Sequence, residues 1–231
     1  MNVLISGTLK GLGACLTKKF LAEGWTVFAG VLQTEELMDL EEIKEHEKLN
    51  IIPLDVSTKE SIEHAVALIA SKTEVLDVVI NVAGVLLNRE DYVISDGYED
   101  INMTFQVNTV GPIYLNNLVL DLLIKSNKAT LINISSEVLS IDGVGAKFAT
   151  YVMSKTAIAQ YGFILKATFN ELNLAIRVFS VHPGRMKTDM GAENGEIEAT
   201  TSANGIYKIA IGEVLPNNEK IYVNYKGKSM L

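Results

Sequence analysis

Short apolar runs alternate along this chain with longer stretches in which apolar positions recur every three or four residues. Runs such as Asp77-Val78-Val79-Ile80 are continuous, which is typical of strands buried on both faces of a parallel sheet. The runs predict seven strands, at residues 2–6, 26–31, 50–54, 76–81, 129–135, 175–181 and 220–225. The helical spacing predicts six helices, at residues 12–23, 35–49, 59–71, 98–125, 148–172 and 200–211.

A strand followed by a helix, repeated along the chain, indicates an α/β fold. We expect a single domain, a doubly wound seven-stranded parallel sheet flanked by helices and joined by right-handed crossovers. The 231 residues require no second core. The acidic stretch at 35–48 resembles an interaction tail. Its spaced apolar residues favour a helix with one solvated face.

Polar groups and glycines follow most of the predicted strands. A parallel sheet binds ligands beyond the carboxyl ends of its strands, so these groups converge on one crevice. After the first strand comes Gly7-Thr8-Leu9-Lys10-Gly11-Leu12-Gly13. Such a turn brings backbone close to a ligand and points helix N–H groups at an anion, which predicts a phosphate site. The later strand ends carry Asp55-Val56, Asn81-Val82-Ala83-Gly84, Ser135-Ser136 and His182-Pro183-Gly184.

Tyr151 and Lys155 form a candidate catalytic pair. Their spacing of four residues puts both side chains on one helix face. A free tyrosine, with a pKa near 10, is a poor acid at neutral pH, and a nearby ammonium lowers that pKa. Such a pair would protonate a carbonyl oxygen, and the hydroxyl of Ser136 could bond the same oxygen. The alternatives are an exposed lysine beside a half-buried tyrosine, and a simple turn serine.

Composition and charge narrow the class of protein. The net charge of −8 argues against a nucleic-acid partner, and no apolar run is long enough to span a bilayer. The single cysteine, Cys15, cannot form an internal disulfide and is interpreted as a small core residue in a reducing compartment. The first predicted strand begins at Asn2, which leaves no room for a leader peptide. We therefore expect a cytoplasmic protein, and no metal site is predicted.

Taken together, the motifs resemble those of the short-chain dehydrogenase/reductases over essentially the whole chain. Residues 6–13 resemble the family's T-G-x-x-x-G-x-G loop, with serine in place of threonine, and residues 81–84 resemble its N-N-A-G motif, with valine at the second place. Asn108, the segment 133–136 and the Tyr151–Lys155 pair match the catalytic positions. Residues 182–188 resemble the P-G-x-x-x-T segment. The tail of that segment is most similar to the C-factor and sniffer-type carbonyl reductases.

The resemblance implies a Rossmann fold with a nucleotide-binding half at about 1–125 and a catalytic and substrate half at about 126–231. It implies that Tyr151 donates a proton as hydride arrives from a nicotinamide, while Lys155 lowers the pKa of Tyr151 and holds the ribose. It further implies that Ser136 orients the carbonyl and that Asn108 holds a water. The implied cofactor-binding residues are Gly7, Thr8, Lys10, Gly11, Leu12, Asp55, Val56, Asn81, Ala83, Gly84, Tyr151, Lys155, Pro183, Gly184, Met186 and Thr188.

The cofactor is either NAD(H) or NADP(H). NAD specificity usually needs an acidic residue after the second strand, and here none occurs before Glu35. Lys10 is placed as in NADP-dependent members, although no arginine follows the second strand to join it. We favour NADP(H).

The sequence offers more than one serine near Tyr151. The spacing between Ser136 and Tyr151 is longer than the family's commonest one, so Ser135 or Ser140 could supply the hydroxyl. We expect a small carbonyl or alcohol substrate beneath a lid at 190–201, and a homodimer or homotetramer formed through the long helices 98–125 and 148–172. The competing function is a nucleotide-binding signalling or regulatory protein with little turnover.

Overall fold

One seven-stranded parallel sheet organises the chain. The computed structural model describes residues 1–32, 37–87, 93–137, 147–191, 195–215 and 220–230. All neighbouring strands are parallel, in the order β3-β2-β1-β4-β5-β6-β7, which confirms the predicted doubly wound sheet. β4, β5, β6 and β7 are each shorter than predicted. The strands are β1 (Asn2–Ser6), β2 (Thr26–Val31), β3 (Leu49–Pro53), β4 (Val78–Asn81), β5 (Thr130–Ile134), β6 (Arg177–His182) and β7 (Tyr222–Asn224).

Helices cover both faces of the sheet. They are α1 (Gly11–Ala22), α2 (Lys59–Lys72), α3 (Tyr98–Phe105), α4 (Gly111–Leu123), α5 (Ala149–Glu171) and α6 (Ala199–Ile211). Alternate residues of a strand enter opposite cores: Val3 and Ile5 pack with α1 and α6, whereas Leu4 packs with α2 and α4. The continuous apolar runs therefore reflect strands buried on both faces. Within the described residues, no helix is long and apolar enough to cross a membrane.

The predicted helix at 35–49 is wrong. Among the described residues 37–49, the only helix is a short 3₁₀ helix, Met38–Ile43, and Leu49 already belongs to β3, where it pairs with Val27. Met38 has a positive φ of 47°, and the Asp39 N–H donates to the carbonyl of Leu9 at 3.1 Å. The segment is therefore tied to the turn after β1. Residues 33–36 lie outside the described residues.

The predicted helix at 98–125 is interrupted. Between α3 and α4 the chain forms a π-helical turn, Gln106–Val110, in which each N–H reaches one residue further back than in an α-helix. Such turns occur frequently at functional sites, and this one contains Asn108.

Candidate active site

The turn after β1 packs so closely against the segment after β4 that it requires glycine. Gly7 has a φ of +68°, and a Cβ at this position would lie 2.7 Å from the backbone N and Cα of Ala83. A Cβ on Gly13 would lie 2.1 Å from the carbonyl oxygen of Gly7. The hydroxyl of Ser6 accepts hydrogen bonds from the N–H groups of Val82 and Ala83, at 3.1 and 3.2 Å. The serine that replaces the family's threonine therefore joins the two segments.

Two groups of this turn hold carboxylate oxygens. The N–H of Gly11, the first residue of α1, donates to Oδ2 of Asp39 at 3.2 Å. The ammonium of Lys10 lies 2.5 Å from Oδ2 of Asp189 and holds the pKa of that carboxyl below its usual range. A helix N-terminus and a lysine are ordinary ligands of phosphate as well. The donor set therefore fits the phosphates of a dinucleotide.

Other predicted cofactor residues support the walls of the crevice. Thr8 is fully buried, and both its hydroxyl and its N–H donate to the carbonyl of Gly30, at 3.0 and 3.1 Å. Oδ1 of Asp55 accepts from the N–H and the hydroxyl of Ser57, at 2.8 and 2.6 Å. The side chains of Leu12 and Val56 lie in the core. Their contacts with a cofactor stay predictions.

Asn81 belongs to a buried cluster of three asparagines. Its Nδ2 donates to Oδ1 of Asn116 at 2.8 Å and to Oδ1 of Asn133 at 2.9 Å. All three side chains are at most 3% exposed. The cluster joins β4 and β5 to α4 at the start of the segment 81–84. The binding role predicted for Asn81 stays a prediction.

Tyr151 and Lys155 face each other on α5, as their spacing predicts. The ammonium of Lys155 lies 5.8 Å from the centroid of the Tyr151 ring and donates to the carbonyl of Ile134 at 2.9 Å. Lys155 is 4% exposed, and this burial lowers its pKa from 10.5 to about 8. Near neutral pH the site therefore holds a positive charge next to a tyrosine.

Asn108 and the Lys155 ammonium both lie close to Gly84. Its Oδ1 accepts from the N–H of Val85 at 2.8 Å, and its Nδ2 donates to the Val85 carbonyl at 2.9 Å and to the Ser154 hydroxyl at 3.0 Å. A Cβ on Gly84 would lie 3.2 Å from Oδ1 of Asn108 and 3.3 Å from Nζ of Lys155. Because Gly84 has no side chain, the Asn108 amide and the Lys155 ammonium can both approach its backbone.

The structure separates the candidate serines. Ser135 is 2% exposed, and its hydroxyl donates to the carbonyl of Lys155 at 3.1 Å. This hydrogen bond links the end of β5 to α5. Ser136 is the half-buried residue that follows, at the carboxyl end of β5. Ser140 lies outside the described residues. Of the two described serines, Ser136 is the better candidate for a substrate contact.

The segment after β6 returns over the glycine turn. A Cβ on Gly11 would lie 3.4 Å from Cγ2 of Thr188, so the two segments are in contact. Gly184 has a φ of +86°, and a Cβ there would lie 2.7 Å from Ile197. Met186 and Ile197 form a β-bridge, and Pro183 is buried. This segment and the glycine turn therefore form two sides of the crevice.

A cavity of about 370 Å³ opens beside this segment, lined in part by Glu137, His182 and Arg185. Oε1 of Glu137 accepts from Nε of Arg185 at 2.7 Å, and its Oε2 lies 3.9 Å from Nε2 of His182. Burial lowers the pKa of His182, which outweighs the raising effect of Glu137. The imidazole is therefore largely neutral near pH 7, which gives no support to an acid role for His182.

Sequence reasoning missed the partners of these groups. Asp39 and Asp189 contact the glycine turn, and the Tyr222 hydroxyl donates to the main-chain carbonyl of Ser136. Each contact joins residues far apart in the chain, and no local pattern in the sequence marks it.

Comparisons with known proteins show the family and the fold. The sequence model of the short chain dehydrogenases matches residues 1–199, so the chain belongs to the short-chain dehydrogenase/reductase family of oxidoreductases. An uncharacterised oxidoreductase of Schizosaccharomyces pombe is 32% identical over 82% of this chain and 75% of its own length. The NADP-dependent 3-hydroxy acid dehydrogenase YdfG of Escherichia coli is 28% identical over 80% of this chain and 72% of its own length.

Two solved carbonyl reductases share nearly the whole fold. The carbonyl reductase Sniffer of D. melanogaster superposes with a TM-score of 0.89 at 28% identity, covering 99% of this chain and 98% of that one. The NADPH-bound carbonyl reductase from chicken fatty liver superposes with a TM-score of 0.87 at 26% identity, covering 99% of this chain and 97% of that one. The chain is therefore similar to the sniffer-type members of the family.

Proposed function

We propose that this protein is an NADPH-dependent reductase that converts the carbonyl group of an aldehyde or ketone into an alcohol. The observation that carries the proposal is the buried ammonium of Lys155, which lies 5.8 Å from the Tyr151 ring centroid and, like Oδ1 of Asn108, borders Gly84. A binding protein without turnover has no need of Asn108, Ser136, Tyr151 and Lys155 together. The names of the E. coli relative and of the two carbonyl reductases support the same reaction class.

The glycine turn and Lys10 are the groups that hold the cofactor phosphates. In the structure the Gly11 amide and the Lys10 ammonium already bind oxyanions, those of Asp39 and Asp189. If phosphate oxygens of the cofactor replaced these carboxylates, they would accept hydrogen bonds from the same two donors. A 2′-phosphate at Lys10 accounts for a preference for NADPH over NADH.

Tyr151 acts as the general acid in this proposal. Its hydroxyl gives a proton to the substrate oxygen, and the ammonium of Lys155 stabilises the phenolate that remains. When bound, the nicotinamide supplies the hydride. The hydroxyl of Ser136 bonds the carbonyl oxygen and orients it. Asn108 holds a water through which Tyr151 and Lys155 regain the proton.

The experiment is a turnover assay with matched cofactors. Purified protein is mixed with NADPH or NADH and a panel of aldehydes, ketones and 3-oxo acids, and the loss of reduced-nicotinamide absorbance is followed. We expect turnover with NADPH that exceeds turnover with NADH. Tight NADPH binding with no oxidation by any substrate would instead support a nucleotide-binding signalling or regulatory protein.

We also propose a homo-oligomer that pairs through α3, α4 and α5. Large apolar side chains are exposed on α3, on the π-helical turn and on α5: Met103 46%, Val110 46%, Met153 47% and Ile164 56%. Such side chains are costly in water when they lie together on one surface. Light scattering coupled to size-exclusion chromatography should give a multiple of the 25.2 kDa chain mass, and a monomer would contradict this.

A further inference from the structure

The main-chain carbonyl of Ser136 is held by a side chain from two strands away. The regular ladder between β5 and β6 extends as far as the Ser135 N–H, which donates to the carbonyl of Val181 at 2.8 Å. One residue later, the hydroxyl of Tyr222 donates to the carbonyl of Ser136. Tyr222 lies on β7, where it pairs with Ser180. Its ring must therefore extend past β6 to reach the end of β5.

Tyr222 is suited to act as a fixed donor. The residue is 2% exposed, so its ring is immobilised by packing. Burial, helped by the carboxylate of Glu137, raises the pKa of Tyr222 to about 12. The hydroxyl therefore keeps its proton throughout the neutral range and donates a hydrogen bond to the carbonyl of Ser136.

The two residues before Ser136 are held by α5. The carbonyl of Ile134 accepts from the Lys155 ammonium at 2.9 Å, and the Ser135 hydroxyl donates to the Lys155 carbonyl at 3.1 Å. Ser136 is the next residue, and its carbonyl bonds Tyr222. The orientation of the Ser136 hydroxyl relative to Tyr151 and Lys155 thus depends on the bond to Tyr222.

We propose that Tyr222 is a positioning residue of the reductase, which fixes the backbone of Ser136 so that the serine hydroxyl meets the substrate oxygen. This inference rests on the proposed function. Tyr222 touches neither substrate nor cofactor in this account and acts only through Ser136. Displacing a catalytic group by about 1 Å is enough to cost turnover without loss of binding.

The kinetic test is a double-mutant cycle. Tyr222→Phe should lower kcat by about tenfold, while the KM and Kd for NADPH change by less than about twofold. In the Ser136→Ala background, the same substitution should cause no further loss, because its target is already absent. p-Aminophenylalanine at position 222, which retains a donor, should restore most of the turnover.

Tyr207→Phe is the matched control, since Tyr207 is another buried tyrosine and packs edge-on against Phe20 in the core with α1 and α6. It should leave kcat unchanged. If Tyr222→Phe does not fold, 4-fluorophenylalanine at position 222 preserves the ring and its packing while removing the donor. Melting temperatures of all variants, measured with NADPH, separate lost stability from lost positioning.

A second readout needs no turnover. Ser136–Glu137 is the only place in the sequence where serine precedes glutamate. Protein labelled with ¹³C-carbonyl serine and ¹⁵N-glutamate therefore gives one HNCO cross-peak, which reports the Ser136 carbonyl. Tyr222→Phe should move this carbonyl resonance upfield, because a hydrogen-bonded carbonyl is deshielded, and Tyr207→Phe should not.

Each outcome decides the proposal. It is overturned if the carbonyl resonance does not move, or if the Tyr222→Phe and Ser136→Ala losses multiply as independent effects do. Wild-type protein without turnover on any carbonyl would refute the proposed function and, with it, the catalytic purpose of the contact. The carbonyl resonance would still show separately whether Tyr222 holds Ser136.

Discussion

Replacing Lys155 by methionine removes a positive charge that the fold keeps almost entirely out of water. Lys155 is 4% exposed, and its ammonium donates to the Ile134 carbonyl at 2.9 Å. Methionine has a similar length and no charge, so Lys155→Met changes the electrostatics of the site more than its packing. We expect the stability difference between wild type and variant to depend on pH.

The magnitude follows from the pKa. Burial lowers the pKa of Lys155 from 10.5 to about 8 in the folded protein. Between these values the unfolded chain binds more protons than the folded one, so the free energy of unfolding of the wild type rises with pH. One pKa unit corresponds to about 1.36 kcal/mol. From about pH 7 to about pH 9.5, the wild type should gain about 2 kcal/mol relative to Lys155→Met.

Urea unfolding of both proteins at the two pH values, without cofactor, measures this change. Other titrating groups contribute equally to wild type and variant and cancel in the difference. Lys59→Met is the control, because the Lys59 side chain is 65% exposed and its charge stays in water. A difference between wild type and Lys155→Met that is constant with pH would show that the ammonium is not buried as described.

Three further predictions concern the same crevice. Turnover in the reductive direction should fall as the pH rises above about 8, because Lys155 then loses its charge; a pH profile of kcat that is flat to about pH 10 would contradict this. Lys10→Ala should reduce the preference for NADPH over NADH by about tenfold, as measured by the ratio of Kd values, whereas Lys18→Ala, about two helix turns further along α1, should not. Gly7→Ala should cost about 2 kcal/mol or more, because Ala83 lies 2.7 Å from the added Cβ. Gly24→Ala is its control in urea unfolding: Gly24 has a similar φ of +80° but open surroundings, so equal losses would argue against the Ala83 contact.

The sheet was predictable because its strands are buried on both faces. Val78, Val79 and Ile80 alternate between two cores yet must all be apolar, which produces a continuous run that a helix surface does not require. The glycine turn was predictable for a related reason: the close approach of Ala83 to Gly7 excludes any side chain there. Both features depend on local residue type.

The elements between the strands were less predictable. The apolar residues at 37, 40 and 43 have helical spacing, but Asp39 bonds Leu9 and Gly11 instead, and the chain turns into β3 after a short 3₁₀ helix. The π-turn at Gln106–Val110 interrupts a pattern that reads as one helix. In the first case a tertiary contact overrides the local periodicity.

The choice among serines needed the structure. Ser135 and Ser136 are adjacent and chemically identical. Only the structure shows that the Ser135 hydroxyl is already hydrogen-bonded, to the carbonyl of Lys155. The bond from Tyr222 to Ser136 joins residues that are 86 positions apart, and nothing in the surroundings of either residue in the sequence marks it. Family motifs predict the candidate catalytic positions but not the contacts that hold them.

The most direct test of the central proposal compares Tyr151→Phe with Tyr98→Phe. Tyr98 is 77% exposed at the start of α3, so its hydroxyl has no part in the proposed chemistry. With a carbonyl substrate found in the panel, Tyr151→Phe should lower kcat by about a hundredfold or more while the Kd for NADPH, followed by nicotinamide fluorescence, stays within about twofold. Tyr98→Phe should match the wild type. Undiminished turnover by Tyr151→Phe would contradict the assignment of Tyr151 as the proton donor.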